Sequence, residues 1–283
     1  MSIATDIRPA PAAPARAAGP RYRVTGRRVL RSEWAKFWSL RSSWITLALG
    51  LVAVVGFGTI AAARYKSLTG SGQPMDPDFA SASAVTLSLF GVTFAELALG
   101  VLGVLVTAGE YSTGMIRSTF AAVPRRRIVL AAKVAVCGGA ALTVGLVASF
   151  AGYLSGQLAI RGTAIPAASL GDPAILRAVL LTGVYLGVTA LIGVGIGTIV
   201  RHSGAAIGTL FGLMFVPMIV AGLFGESGIQ VGRFAPLLML LNSIAVTSPI
   251  PGLFAGWISA LLMCGYAAVA VLCGGVLLRH RDV

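Results

Sequence analysis

The chain reads as an all-α membrane protein: a bundle of six transmembrane helices, with an N-terminal interfacial amphipathic helix and a short cytoplasmic helix between spans. Three observations predict this. Of 283 residues, 57% are hydrophobic and 11% charged, a balance foreign to water-soluble domains. Several apolar runs reach the roughly 18 residues that a helix needs to cross about 30 Å of hydrocarbon. The short alternating strands of a β-barrel, the other architecture that satisfies its backbone in lipid, are missing.

Residues 1–20 are mostly Ala and Pro with scattered charge. They cannot bury enough apolar surface to fold and are expected to form a disordered cytoplasmic tail. The first apolar run begins only at Trp44 and is too long for a cleaved signal. Residues 21–43 are expected to hold the interfacial helix. From Arg27 to Arg41, Leu30, Trp34, Phe37 and Trp38 share one face, and Arg28, Arg31, Ser32, Lys36 and Ser39 cover the other. Glu33 fits two readings: a docking surface for a cytoplasmic partner, or a pair with Lys36 at i+3.

Spans are predicted over Trp44–Ala63, Ala84–Ala108, Ile128–Ile160, Ala174–Val200, Gly204–Phe224 and Gly252–Leu278 within a domain of residues 44–283. The third is long and holds Gly138, Gly139 and Gly145, so it is expected to tilt or break. Between Gly225 and Pro251, prolines bracket the apolar stretch Leu237–Val246. It is too short to cross and is predicted to be a re-entrant or interfacial helix. Gly193, Gly195 and Gly197, with Gly204, Gly208 and Gly212, form small-residue ridges suited to close helix packing.

Basic residues set the orientation, because short cytoplasmic loops carry their excess. With the N-terminus inside, only Arg64, Lys66, Arg161, Arg177 and Arg233 of the 22 Lys and Arg residues fall outside. Both termini are then cytoplasmic. The net charge of +13 follows from topology and attraction to anionic lipid headgroups, with no call for a nucleic-acid partner.

The loop Gly109–Arg127 holds Glu110, Gly114 and Arg117 at helical spacing and an apolar edge of Met115, Ile116, Thr119 and Phe120, and Pro124 ends the pattern. A short helix here would lie across the cytoplasmic mouth and present the acid and the base to a partner, with Arg125, Arg126 and Arg127 behind. Glu96 falls near the middle of the second span, where a carboxylate is costly. It is either a residue of the cargo path or a neutral carboxyl bonded to a neighbouring helix.

Catalysis finds no support. Cys137, Cys264 and Cys273 lie in spans without a C-x-x-C pair, and His202 and His280 are in separate segments, so neither a metal centre nor an enzyme is expected. The phosphate-cradling G-x-x-x-x-G-K-[ST] loop is also missing, since none of Lys36, Lys66 and Lys133 follows a glycine.

The run from Glu33 to Trp44, E-W-A-K-F-W-S-L-R-S-S-W, followed by the span pair and then G-E-Y-S-T-G-M-I-R-S-T-F-A-A-V-P-R-R-R from Gly109 and A-A-K ending at Lys133, resembles the membrane-spanning permease of type-2 ABC exporters. The resemblance covers the six-span layout. It implies that the loop helix couples to a separate ABC ATPase subunit, that the helix before the first span runs beside it, and that Glu33, Glu110, Gly114, Arg117, Pro124, Arg126 and Lys133 occupy the matching positions. It further implies a second permease copy or sibling, ATP and Mg bound by the partner and not by this chain, and a bacterial cytoplasmic membrane. A non-transporting membrane sensor or assembly protein is the alternative; a secondary transporter is a third, although the chain shows no internal repeat.

Overall fold

The structure, a computed structural model, describes residues 25–163, 165, 168–246 and 252–280. The tail expected over residues 1–20 lies outside the described residues. Among the described residues, six helices are long and apolar enough to cross a bilayer: α2 (Arg41–Ser71), α5 (Val92–Ser112), α7 (Arg126–Ile160), α8 (Pro173–Val200), α9 (Ser203–Leu223) and α12 (Gly256–His280). Among the described residues the fold is all-helical, and these six helices fit a multi-pass membrane protein. The remaining helices are short: α1 (Gly26–Ser39), α3 (Pro77–Ala80), α4 (Ala84–Ser88), α6 (Met115–Ala122), α10 (Gly225–Gly232) and α11 (Pro236–Ile244).

Lipid tails are as apolar as leucine, so helices in a bilayer associate by close packing rather than by escape from water. Helix α8 is the hub. It packs on α5, α7 and α12, and 78% of its most apolar window is buried, against 22% in α9 and in α12. Glycines make this possible at the α5–α8 contact: a Cβ on Gly103 would strike the carbonyl of Ala190, and one on Gly193 would strike that of Gly100. Ile45, Leu49 and Val52 on α2 and Leu261, Val269 and Leu272 on α12 are exposed apolar side chains, a surface suited to lipid.

Two span expectations are corrected and a third is narrowed. The second predicted span is two helices: α4 ends at Ser88 and α5 starts at Val92. Helix α4 is wedged between α2 and α7, with Ser88 against Gly58 and Gly156, and Gly91 sits where a Cβ would meet the carbonyl of Ala53. The first span runs on to Ser71, where Gly72 ends it in the left-handed conformation. The third is one unbroken helix of 35 residues, about 50 Å long at about 1.5 Å per residue. Two of its glycines are packing points rather than breaks, with Gly138 against the Leu191 side chain and Gly145 against the carbonyl of Gly183.

The short apolar stretch forms α11, which is buried against α8, α9 and α12. Protein covers its backbone, as the re-entrant reading requires. At the other end of the bundle, α1, α6, the start of α7 and the last turn of α12 come together, and the candidate site lies there.

Candidate functional site

Helix α1 packs chiefly along the start of α7. Val29, Glu33 and Phe37 recur every four residues and form its buried face. This corrects the two-faced reading of the segment. Phe37 turns into the bundle with Glu33, while Leu30 and Trp34 stay 41% and 52% exposed. Trp38 joins the buried and exposed faces: its ring centroid is 5.2 Å from Phe37, 5.4 Å from Trp34 and 4.4 Å from Trp44.

Beneath α1, four charged side chains close into a ring. The ammonium of Lys36 lies 2.8 Å from Glu33 and 3.1 Å from Glu110; that of Lys133 lies 2.9 Å from Glu33 and 2.7 Å from Glu110. Glu33, Glu110 and Lys133 are at most 5% exposed. Lys36 also donates to Oγ1 of Thr119 on α6, and Lys133 to the carbonyl of Val106. The ring therefore joins α1, α5, α6 and α7. Burial works against the charge of Lys36, but Glu33 and Glu110 together outweigh it and hold the ammonium above the usual lysine value.

Two acids and two bases cancel, so no net charge is buried. The attraction within such a ring does little more than offset the desolvation of its members, whereas removing one member leaves an uncompensated charge at a cost of about 3–5 kcal/mol. One oxygen stands apart: Oε2 of Glu110 is buried and has no hydrogen-bond partner.

Glu33 and Glu110 are thus internal, and neither is offered to a partner at the surface. The short helix of the loop is present, but it starts at Met115. Gly114, left-handed at φ 73°, breaks the chain between α5 and α6, so Glu110 belongs to the last turn of α5. The i+3 pairing of Glu33 with Lys36 was legible in the sequence. The join of Lys133 to both acids was missed; the signal was an acid and a base, each set within about a turn or two of the end of an apolar run.

Arg117 is exposed on α6, and Ile116 on its inner side is buried. Pro124 is exposed where the chain leaves α6. Arg126 reaches across to α12, donating to the carbonyl of Leu278 at 2.8 Å, and its guanidinium stands 5.3 Å from the centre of the Phe120 ring. Arg125, Arg127 and Arg279 are exposed around the same basin, a volume of about 540 Å³. Arg201 ties the ends of α8 and α12 to α5, with its guanidinium 5.2 Å from the Tyr111 ring centre and a long 3.5 Å bond to the carbonyl of Leu277.

Glu96 lies apart from this cluster. It is 1% exposed and accepts a hydrogen bond from Oγ1 of Thr189 on α8 at 3.1 Å, the arrangement expected of a carboxyl held by a neighbouring helix. Among the described residues no group of His, Cys, Asp and Glu is placed to hold a metal. Comparison with family models, with curated proteins and with solved structures finds no match to the chain.

Proposed function

We propose that the chain is the permease subunit of an ATP-driven type-2 ABC export complex in a bacterial cytoplasmic membrane. The observation that carries this reading is the short helix α6 after the second span, with Arg117 exposed on its outer side and its inner side joined through Thr119 and Lys36 to the buried charge ring. Such a helix is built to take a push from outside and pass it to α1, α5 and α7 together. A loose loop would absorb it.

In this reading the ring end faces the cytoplasm, with both termini on that side, and an ABC ATPase subunit docks on α6. Arg117 makes the contact, Gly114 and Pro124 set the ends of the docking helix, and Arg126 fixes its rear to α12. Glu33 and Glu110 contribute from within, holding the platform in place. ATP and Mg belong to the partner. Its closure on ATP shifts the permease, paired with a second copy or a sibling, between inward-open and outward-open states.

The test is purification of the tagged chain from its native membrane in mild detergent, with identification of stoichiometric partners and assay of ATP hydrolysis. A nucleotide-binding subunit retained by the wild type and lost from a monodisperse Arg117→Ala protein is the expected result. Arg117 is the informative position, because replacing Glu110 would disturb the fold as well as the contact. Repeated recovery without any ATPase would overturn the reading in favour of a sensor or assembly protein.

A further inference from the structure

Where the start of α7 meets the end of α12, the basin of about 540 Å³ is walled by Arg125, Arg126, Arg127 and Arg279, with Ile128 and Leu278 as its apolar part. No acid lines it. Arg126 is tied to the Leu278 carbonyl and the Phe120 ring, whereas Arg125, Arg127 and Arg279 are exposed and engage no acid among the described residues. Like charges gathered without a counterion repel one another, so an anion stabilises the basin. The first turn of α7 borders the same space, and no side chain caps it. That adds the positive end of a long helix.

The place of the basin selects among anions. Arg127 directly precedes the apolar run of α7 and Arg279 directly follows that of α12, so both guanidiniums stand at the headgroup level of a bilayer. Beyond them the same helix faces turn apolar and stay uncovered. Ala131 and Ala135, one and two turns on from Arg127, are exposed; Val276 and Leu272, one and two turns back from Arg279, are 54% and 67% exposed. An anionic head joined to acyl chains matches the charge and the apolar surface together, whereas a soluble anion matches the charge alone. A single phosphodiester carries one negative charge, too little for three exposed guanidiniums. Two phosphodiesters on one molecule come closer, and the guanidinium fork suits phosphate oxygens.

We propose that the basin between α7 and α12 binds an anionic phospholipid with two phosphodiester groups, the phosphates meeting Arg125, Arg127 and Arg279 and the acyl chains running along the exposed faces of α7 and α12. Each arginine contributes separately, so no single loss ends the binding. The inference rests on the six helices lying in a bilayer and not on the transporter reading, so absence of an ATPase partner would leave it standing.

The probes are tetraoleoyl cardiolipin, with two phosphodiesters, and dioleoyl phosphatidylglycerol, with one. The full chain is purified, stripped of lipid in detergent and titrated with each, and adducts are measured by native mass spectrometry. Cardiolipin is expected to bind about fivefold more tightly, the gain from one further arginine contact. Arg125→Gln, Arg127→Gln and Arg279→Gln together are expected to abolish that preference. Arg126 is kept, because it ties α7 to α12. Arg64→Gln, Arg161→Gln and Arg177→Gln remove the same charge from exposed positions at the opposite end of the bundle and are expected to leave the preference intact. Equal binding of the two lipids by the wild type, a comparison that needs no variant, would overturn the proposal. So would a preference that survives in the monodisperse basin variant, or one lost equally in the opposite-end variant, which would make net charge the cause. Displacement of cardiolipin by equimolar inorganic pyrophosphate would also overturn it, by making the occupant a soluble anion.

Discussion

At the scale of single residues, Glu33, Lys36, Glu110 and Lys133 share one fate. Lys133→Met leaves two buried carboxylates facing Lys36 alone and is expected to cost about 3–5 kcal/mol. Glu110→Leu combined with Lys133→Met removes a neutral pair and is expected to cost less than either single change, a coupling that a double-mutant cycle on unfolding in detergent would measure. Additive losses would mean that the ring is an ion cluster without cooperation. The sequence showed only part of this. Glu33 and Lys36 are three residues apart on one helix, so local spacing reveals their pairing, whereas Glu33 and Lys133 lie 2.9 Å apart in space and 100 residues apart in sequence. No periodicity encodes that meeting. Glu96 was legible as an oddity, but its partner Thr189 is on another span and was not.

The elements were legible where hydropathy alone defines them. All six spans lie close to their predicted places, because about 20 apolar residues leave a chain little choice in lipid. The misses come from contacts between helices. Gly91 reads as one small residue in an apolar run until the carbonyl of Ala53 is set against it. The glycines of α7 suggest weakness until Leu191 and Gly183 are seen to fill the space beside Gly138 and Gly145. Two kinds of glycine follow, and they differ in their tolerance. Gly193→Val drives a side chain into the backbone of α5 and is expected to abolish the yield of monodisperse protein; Gly139→Val meets open space and is expected to change stability by less than about 0.5 kcal/mol. Size-exclusion profiles of the two variants would check this.

For the whole molecule, the observation that matters most is how the basic residues are gathered. Arg117, Arg125, Arg126, Arg127, Lys133 and Arg279 come together at the end of the bundle that holds α1 and α6, and Arg64 lies beyond the middle of α2 toward the other. That arrangement agrees with the charge bias from which the orientation was argued. In a background with Cys137, Cys264 and Cys273 replaced, Gly72→Cys is expected to react with a membrane-impermeant maleimide in intact cells, and Ser32→Cys only after the cells are opened. The reverse pattern would invert the protein.

The closed ring also constrains how this sequence can change by descent. A lineage that loses one of the four charges carries an unpaired ion in a buried place until a second substitution removes or replaces its counterpart. Single steps away from the ring are therefore selected against, while paired steps are nearly free. Among related chains, positions 33, 36, 110 and 133 are expected to keep their charges together or exchange them together, and the exposed arginines around Pro124 are expected to drift one at a time.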